Sequence, residues 1–240
     1  LGIGPGDEVV TVSHTAVNTV LAISKAGATP VLVDIDPETY CIDPALLAAA
    51  VSEKTRAVIP VHLYGYTCDM DGIAEIAKKR SLEIIEDACQ SLGSTYKGRQ
   101  TGTFGSMGCF SMYASKVLTA GEGGAVATDD DELADRLRMI RNHGMVEGYD
   151  TRVLGLNLRL PELSATIAKA QMGKLAQMLA ARRRNAERLS ELLSGTKDVA
   201  IPAEPDGSRF NWYLYTVSFK KGAARDAVMA AMQKDGIGAT

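Results

Sequence analysis

Four short apolar runs alternate with helical patterns over the first 90 residues, and they constrain the fold more than any other feature. The runs lie at 8–12, 29–35, 56–62 and 82–87. Helical spacing lies between them, at about 17–26, 44–51 and 71–79. The runs contain almost no alternation of apolar and polar residues, which is typical of strands buried on both faces of a parallel sheet. The sequence therefore predicts an α/β layer fold with a mostly parallel sheet.

The second half departs from this rhythm and predicts a change of architecture. Two short strands, GCFSMY and GGAVAT, flank a loop that contains Lys116, and a helix follows over about 130–142. A polar connection leads to one long helix from 161 to about 193, then a half-buried strand at 212–219 and a helix at 223–234. The predicted division is a large domain over 1–160, a connecting helix over 161–195, and the start of a smaller α+β domain over 196–240.

Composition excludes several classes of partner. The 240 residues carry a net charge of −3, which gives no electrostatic basis for binding nucleic acid or an anionic membrane surface. No apolar stretch approaches the roughly 20 residues that span a bilayer. The chain starts without a methionine in an apparent turn, so we expect a fragment of a longer protein.

The cysteines predict neither a metal site nor a disulfide framework. Cys41, Cys68, Cys89 and Cys109 form no CxxC pair, and no HxxxH pattern accompanies them. Reduced thiols are the expected state, which favours a cytoplasmic location. Two glycine-rich segments also fail as phosphate loops, because GIGPG precedes a strand and AGEGGAV lacks the GK[ST] of a P-loop.

Asp87 and Lys116 form the most informative pair of chemical groups. Asp87 ends the fourth apolar run, where open α/β sheets bind ligands, and Lys116 lies between short hydrophobic strands. An amine that forms an imine, together with a carboxylate that keeps a ring nitrogen protonated, suits an aldehyde cofactor with a basic ring. The residues alone leave a buried structural ion pair as the alternative.

Around these residues the sequence resembles the sugar aminotransferases of the DegT/DnrJ/EryC1/StrS type. The resemblance covers nearly the whole chain as an ordered set of blocks: GPGDEVV, SHTAVNTVLAISKAGATPVLVDID, RAVIPVHLYG, EDACQSLG, SKVLTAGEGGAVAT, RNHG and GLNLRLPELSATIAKAQ. It implies the three-layer, mostly parallel sheet of the fold type I transferases that depend on pyridoxal 5'-phosphate.

The resemblance implies a role for four residues near the sheet edge. Lys116 bonds to the cofactor aldehyde and, once substrate releases it, moves the proton between cofactor and substrate carbons. Asp87 pairs with the pyridine nitrogen, Gln90 bonds to the phenolic oxygen, and Ser111 holds the phosphate. From the residue types alone, Asp87 could instead cap a helix, while Gln90 and Ser111 could be ordinary polar residues at a helix start and a strand end.

Two further residues carry weaker expectations. Asn157 matches an asparagine that reaches the cofactor phosphate of a neighbouring subunit, which implies a homodimer with shared active sites; a turn asparagine is the alternative. Relatives commonly place an aromatic residue, which stacks on the pyridine ring, where this chain has Ala16, so His14 is the candidate in its place, with a structural histidine as the alternative. Trp212 and Tyr213 fall where relatives approach the sugar nucleotide, although core positions suit their pattern better.

The predicted reaction is transfer of an amino group from an amino acid, with glutamate expected, to a keto sugar linked to a nucleotide. Two half-reactions at one site predict ping-pong kinetics. A non-catalytic regulator or sensor with the same fold is the main alternative. A dehydratase that uses pyridoxamine phosphate is disfavoured, because that branch replaces the lysine with histidine and this chain has Lys116.

Overall fold

A computed structural model describes residues 1–220 and 222–239 of the chain. Within these residues the strands are β1 (Glu8–Val12), β2 (Thr29–Val33), β3 (Thr55–Ile59), β4 (Glu83–Asp87), β5 (Thr95–Tyr96), β6 (Arg99–Gln100), β7 (Met107–Ser111), β8 (Gly124–Ala127), β9 (Val199–Ala200), β10 (Ser208–Arg209) and β11 (Ser218–Phe219). The helices are α1 (Val17–Lys25), α2 (Pro44–Ala50), α3 (Met70–Arg80), α4 (Asp131–Ile140), α5 (Glu162–Met172), α6 (Leu175–Leu193) and α7 (Gly222–Lys234).

Six strands form a central sheet in the order β2-β1-β3-β4-β7-β8. All neighbouring pairs are parallel except β7 with β8, which are antiparallel. The predicted, mostly parallel sheet is therefore confirmed. Its consequence for function is geometric, because the carboxyl ends of β1, β3, β4 and β7 all lie at one edge of the sheet.

Burial follows the position of each strand in the sheet. In β1, which lies between two neighbours, Val9 to Val12 are all buried, as the unbroken apolar run predicts. The same expectation is wrong for β2, where Leu32 is 52 % exposed. β2 is an edge strand of the sheet, so the described residues leave part of it uncovered.

The helix starts agree with the cap chemistry of the sequence. The Asp43 carboxylate accepts a hydrogen bond from the Ala45 N–H at 2.7 Å, with Pro44 in the first turn of α2. Asp130 likewise accepts from the N–H groups of Glu132 and Leu133 at the start of α4. Such caps satisfy N–H groups that the first helical turn leaves without partners.

The single long helix predicted from 161 to about 193 is wrong. α5 ends at Met172 and α6 begins at Leu175, with Gly173 and Lys174 between them. Glycine is a weak helix former, and here it separates two apolar patterns that have the same period. Because the period is the same on both sides of Gly173, the spacing of apolar residues predicts one helix where the structure has two.

The half-buried strand predicted at 212–219 is also wrong over most of its length, because only Ser218–Phe219 forms a strand. Trp212 has a φ of +55°, which turns the backbone out of the extended conformation. Phe210 and Trp212 instead join the main hydrophobic core, and β10 pairs with β5. A core position for Trp212 is thus confirmed, while the division of the chain into domains stays a prediction.

No helix in the described part of the chain combines the length and apolar character needed to cross a membrane.

Candidate active site

Four segments meet where the parallel strands end, and together they carry most of the predicted site residues. The segment after β1 contains His14, the one after β3 contains Tyr64, and β4 ends at Asp87. β7 ends at Ser111 and leads into the loop of Lys116. The sheet topology is the reason that residues far apart in sequence face one another here.

Asp87 is held by two donors from different segments. The Thr19 hydroxyl in α1 donates to Oδ2 at 2.7 Å, and the Cys89 N–H donates to Oδ1 at 3.1 Å. The Thr19 hydroxyl is also 3.0 Å from that of Thr15. The capping alternative for Asp87 is wrong, because its partners are a turn amide and a hydroxyl, and no helix starts at this point.

Lys116 lies in the loop after β7, the neighbour of β4, and its charge acts on the same Cys89 thiol as the charge of Asp87. Burial is the main cause that raises the pKa of the Cys89 thiol; the Asp87 carboxylate raises it further, and the Lys116 ammonium opposes the rise. Both charges therefore act on one thiol. Yet no ion pair within 4.0 Å joins Asp87 to Lys116 in the described residues, so the buried ion pair considered as an alternative does not form.

The Lys116 amine has an aromatic neighbour. Its Nζ lies 4.8 Å from the centre of the Tyr213 ring, a distance typical of a cation–π contact. The Tyr213 hydroxyl is 3.3 Å from that of Ser115. Tyr213 thus borders the lysine, whereas its neighbour Trp212 is buried in the core.

Tyr64 connects Gln90 with His14. Its N–H donates to Gln90 Oε1 at 2.7 Å, so the Gln90 amide nitrogen remains the donor end of that side chain. The Tyr64 hydroxyl lies 2.9 Å from His14 Nε2, and the two rings meet edge to face. Tyr64 adopts a φ of +60°, an uncommon conformation for a residue other than glycine.

Ser111 and Asn157 are less closely tied to this group. The Ser111 hydroxyl accepts a hydrogen bond from the Tyr113 N–H at 3.3 Å, at the start of the lysine loop. Asn157 lies in an exposed segment, where Arg159 Nε donates to its Oδ1 and its backbone pairs with Asn142. No hydrogen bond in the described part of the chain joins Asn157 to the other predicted residues.

Sequence reasoning missed Thr19 and Tyr64 and did not consider Asn211. Asn211 is buried, its amide donates to the carbonyls of Gln90 and Leu92, and its Oδ1 accepts from the Tyr213 N–H. The available signals were weak: a threonine inside an apolar helix pattern and an asparagine among aromatic residues. Only the folded chain makes them neighbours of the predicted residues.

Two other features do not add to this site. A cavity of about 870 Å³ lies beside α4, lined by arginines among other residues, and it contains none of the six predicted residues. Across the described residues, no group of three or more His, Cys, Asp or Glu side chains could hold a metal ion.

Comparison with known proteins gives one family. A sequence model described as the DegT/DnrJ/EryC1/StrS aminotransferase family matches residues 1–240. The pleiotropic regulatory protein of Geobacillus stearothermophilus is 44 % identical over 239 residues, which cover 98 % of this chain and 63 % of the relative. The UDP-N-acetyl-3-dehydro-alpha-D-glucosamine 3-aminotransferase of Acidithiobacillus ferrooxidans is 43 % identical over 238 residues, covering 99 % and 63 %.

Solved structures agree with the sequence matches. The X-ray structure of S. venezuelae DesV in complex with a ketimine intermediate superposes with a TM-score of 0.94 at 39 % identity, covering 99 % of this chain and 63 % of that one. The predicted fold class, the mostly parallel α/β sheet of fold type I, is thereby confirmed. The chain spans 63 % of the length of each of these three proteins.

Proposed function

Because this chain belongs to the DegT/DnrJ/EryC1/StrS aminotransferase family, we propose that the protein is a pyridoxal phosphate-dependent aminotransferase that aminates a nucleotide-linked keto sugar. One observation carries the proposal: Asp87 ends β4, and Lys116 lies in the loop that follows the neighbouring strand β7, at the carboxyl edge of the parallel sheet. A carboxylate and an amine at one sheet edge suit this chemistry.

The donor set of the edge fits the proposed cofactor. Asp87 keeps its two oxygens oriented through Thr19 and Cys89, so the carboxylate is a fixed acceptor for a protonated ring nitrogen. Gln90 presents an amide donor for a phenolic oxygen, because Tyr64 already occupies its carbonyl end. Ser111, at the end of β7, offers a hydroxyl for a phosphate oxygen.

In the proposed reaction the cofactor ring supplies an electron sink when bound. The Lys116 amine would hold the cofactor and, once an incoming substrate amine displaces it, would move a proton to and from the substrate carbon. Asp87 would keep the proton on the ring nitrogen. The amino donor is an amino acid, with glutamate proposed, and the acceptor is a keto sugar nucleotide; both half-reactions use the same lysine.

His14 is proposed to lie against the cofactor ring, where relatives commonly have an aromatic residue and this chain has Ala16. Its imidazole is oriented by the Tyr64 hydroxyl, and that tyrosine also binds Gln90. A shared tyrosine gives His14 and Gln90 a common support. This arrangement favours His14 as part of the cofactor pocket.

A homodimer with shared active sites is proposed from the surface around Asn157. We name residues 154–172 the apolar strip, since large side chains are exposed along it: Leu154, Leu156, Leu158, Leu163, Ile167 and Met172. Leu154 is 94 % and Leu163 81 % exposed. Several large apolar side chains exposed along one segment are typical of a protein interface, and an interface here would bring Asn157 to the cofactor phosphate of a second copy.

A regulatory role is the second candidate function, because one close relative is named a pleiotropic regulatory protein. Both candidates retain the fold. They differ in whether the site turns over a sugar, and this is a property of the full-length protein. The proposed location is the cytoplasm, which the four free cysteines support.

The decisive experiment uses the full-length protein loaded with pyridoxal phosphate, reduced with borohydride and mapped by peptide mass. We expect the cofactor on Lys116, its loss in Lys116→Ala, and its retention in Lys78→Ala, a control at an exposed lysine of α3 outside the apolar strip. Cofactor on a different lysine, or on none, contradicts the proposal. Incubation with glutamate and a panel of keto sugar nucleotides then separates the two candidates, since a regulator that binds cofactor forms no amino sugar.

A further inference from the structure

The Glu86 carboxylate lies in the interior of the protein directly before Asp87. It is 0 % exposed, in a sheet whose other buried side chains are mostly apolar. A buried charge of this kind is tolerated only when its oxygens are fully hydrogen-bonded. The proposed mechanism leaves Glu86 without a role.

Four donors surround the carboxylate. His62 Nε2 lies 3.0 Å from Oε2 and the Gly102 N–H donates to the same oxygen at 2.7 Å. The N–H groups of Phe104 and Gly105 donate to Oε1. Burial is the largest effect and tends to raise the pKa of Glu86, but the hydrogen bonds from His62 and the loop amides lower it overall. Glu86 is therefore an ionised acceptor.

His62 is fixed through both ring nitrogens. The Cys68 N–H donates to Nδ1 at 3.1 Å, so Nδ1 carries no proton and the ring proton is on Nε2. From Nε2 it is donated to Glu86. The residue is fully buried, and its ring spans from β4 to the segment that contains Tyr64.

Backbone hydrogen bonds connect the same histidine to Asp87. The His62 N–H donates to the Asp87 carbonyl at 3.1 Å, and the Asp87 N–H donates to the Pro60 carbonyl at 2.9 Å. Side chains alternate along a strand, so Glu86 and Asp87 point to opposite faces of β4. Hydrogen bonds that hold the Glu86 side chain on one face of β4 therefore also fix the direction in which the Asp87 side chain leaves the other face.

Two glycines of the loop that donates to Glu86 lie where a side chain would have no room. A Cβ on Gly102 would lie 2.4 Å from the Phe110 ring, and one on Gly105 would lie 2.2 Å from the Ile84 carbonyl oxygen. The loop runs directly into β7, which ends at Ser111. Glu86 therefore joins the strand of Asp87 to the strand of Ser111.

We propose that Glu86 and His62 are a buried positioning pair that sets the direction of the Asp87 carboxylate toward the cofactor ring nitrogen without touching the cofactor. This inference rests on the proposed function, because it assigns the pair a purpose in the same site. The alternative is that the pair only stabilises the fold. If the pair positions Asp87, removal of the hydrogen bond from His62 to Glu86 changes cofactor binding. If the pair only stabilises the fold, its removal changes cofactor binding only as far as it changes the free energy of unfolding.

Two substitutions at His62 separate the ring's two hydrogen bonds. His62→Asn keeps an acceptor near the Nδ1 position for the Cys68 N–H and removes the donor to Glu86. His62→Gln keeps a donor near the Nε2 position and removes the acceptor. In the full-length protein we expect the Asn variant to bind pyridoxal phosphate at least about tenfold more weakly. Its bound cofactor should also lose its ring-nitrogen proton at a lower pH, and the Gln variant should stay close to wild type in both.

Equal affinities and equal pH profiles of the two variants, or losses that only follow their unfolding free energies, overturn the inference. Failure of the wild type to bind the cofactor contradicts the proposed function and the inference with it, whereas wild-type binding with indistinguishable variants contradicts the inference alone. If the His62 variants do not fold, the wild type alone still tests the inference. Its histidine ¹⁵N shifts should show His62 protonated on Nε2 only. A doubly protonated ring or an Nδ1 proton overturns the inference.

Discussion

At the scale of single residues, the contact between two distant segments of the site depends on the absence of a side chain at Gly65. Gly65 follows Tyr64 with a φ of +88°, and a Cβ there would lie 1.8 Å from Asn211 Oδ1. The same oxygen accepts from the Tyr213 N–H, and Tyr213 borders Lys116. One missing side chain thus lets two distant segments meet beside the lysine.

Gly65→Ala is expected to be much more costly than Gly98→Ala. Both positions have a positive φ, which costs an alanine roughly 1–2 kcal/mol, but nothing lies within 4 Å of a Cβ on Gly98. The clash with Asn211 should add about 1–3 kcal/mol to the loss in unfolding free energy for Gly65→Ala. Urea denaturation of both variants measures the difference, and equal losses would show that Asn211 can move aside freely.

At the scale of elements, the junction between α5 and α6 shows where periodicity misleads. Gly173 has a φ of −61°, and its Cβ would meet only the Ala170 carbonyl oxygen at 3.6 Å. The break therefore comes from the low helix propensity of glycine and not from a clash. The spacing of apolar residues alone does not indicate where one helix ends and the next begins.

Gly173→Ala should accordingly stabilise the protein by about 0.4–1 kcal/mol, because alanine restricts the unfolded chain and fits the native conformation. The control is Gly121→Ala, whose φ of +80° is unfavourable for alanine although the space around it is open. The two substitutions should change the midpoint of urea unfolding in opposite directions. A destabilised Gly173→Ala would mean that the junction needs glycine for a contact outside the described residues.

At the scale of the whole molecule, the exposed apolar strip is the feature that one chain leaves unexplained. None of the described residues covers the exposed side chains of the strip, and Asn157 lies within it. A second copy that covers the strip would remove its leucines from water. Assembly and completion of the active site are then the same event.

If the strip forms the proposed homodimer interface, Leu163→Glu in the full-length protein is expected to shift association toward monomer, since it places a charge at the exposed leucine of α5. Leu46→Glu on α2, a partly exposed leucine outside the strip, is the control and should leave the association unchanged. Sedimentation velocity over a concentration series gives the result. A Leu163→Glu protein that associates like the wild type would place the interface elsewhere.

The sequence by itself determined the mostly parallel central sheet, the start of α2 and the residue types of the site. A strand buried in a parallel sheet has an unbroken apolar run, as in β1, and a helix start has a local pair such as Asp43 and Pro44. Both features can therefore be predicted from neighbouring residues in the sequence. The family resemblance added roles for Asp87 and Lys116.

Only the tertiary structure decided which groups support that site. Thr19, Tyr64 and Asn211 touch the predicted residues across long stretches of chain, and the Glu86–His62 pair joins two strands through a glycine loop. Contacts of this kind depend on the order of strands in the sheet, and no local pattern of polarity records that order. The exposure of β2 follows from the same cause, because it is set by neighbours that are distant in sequence.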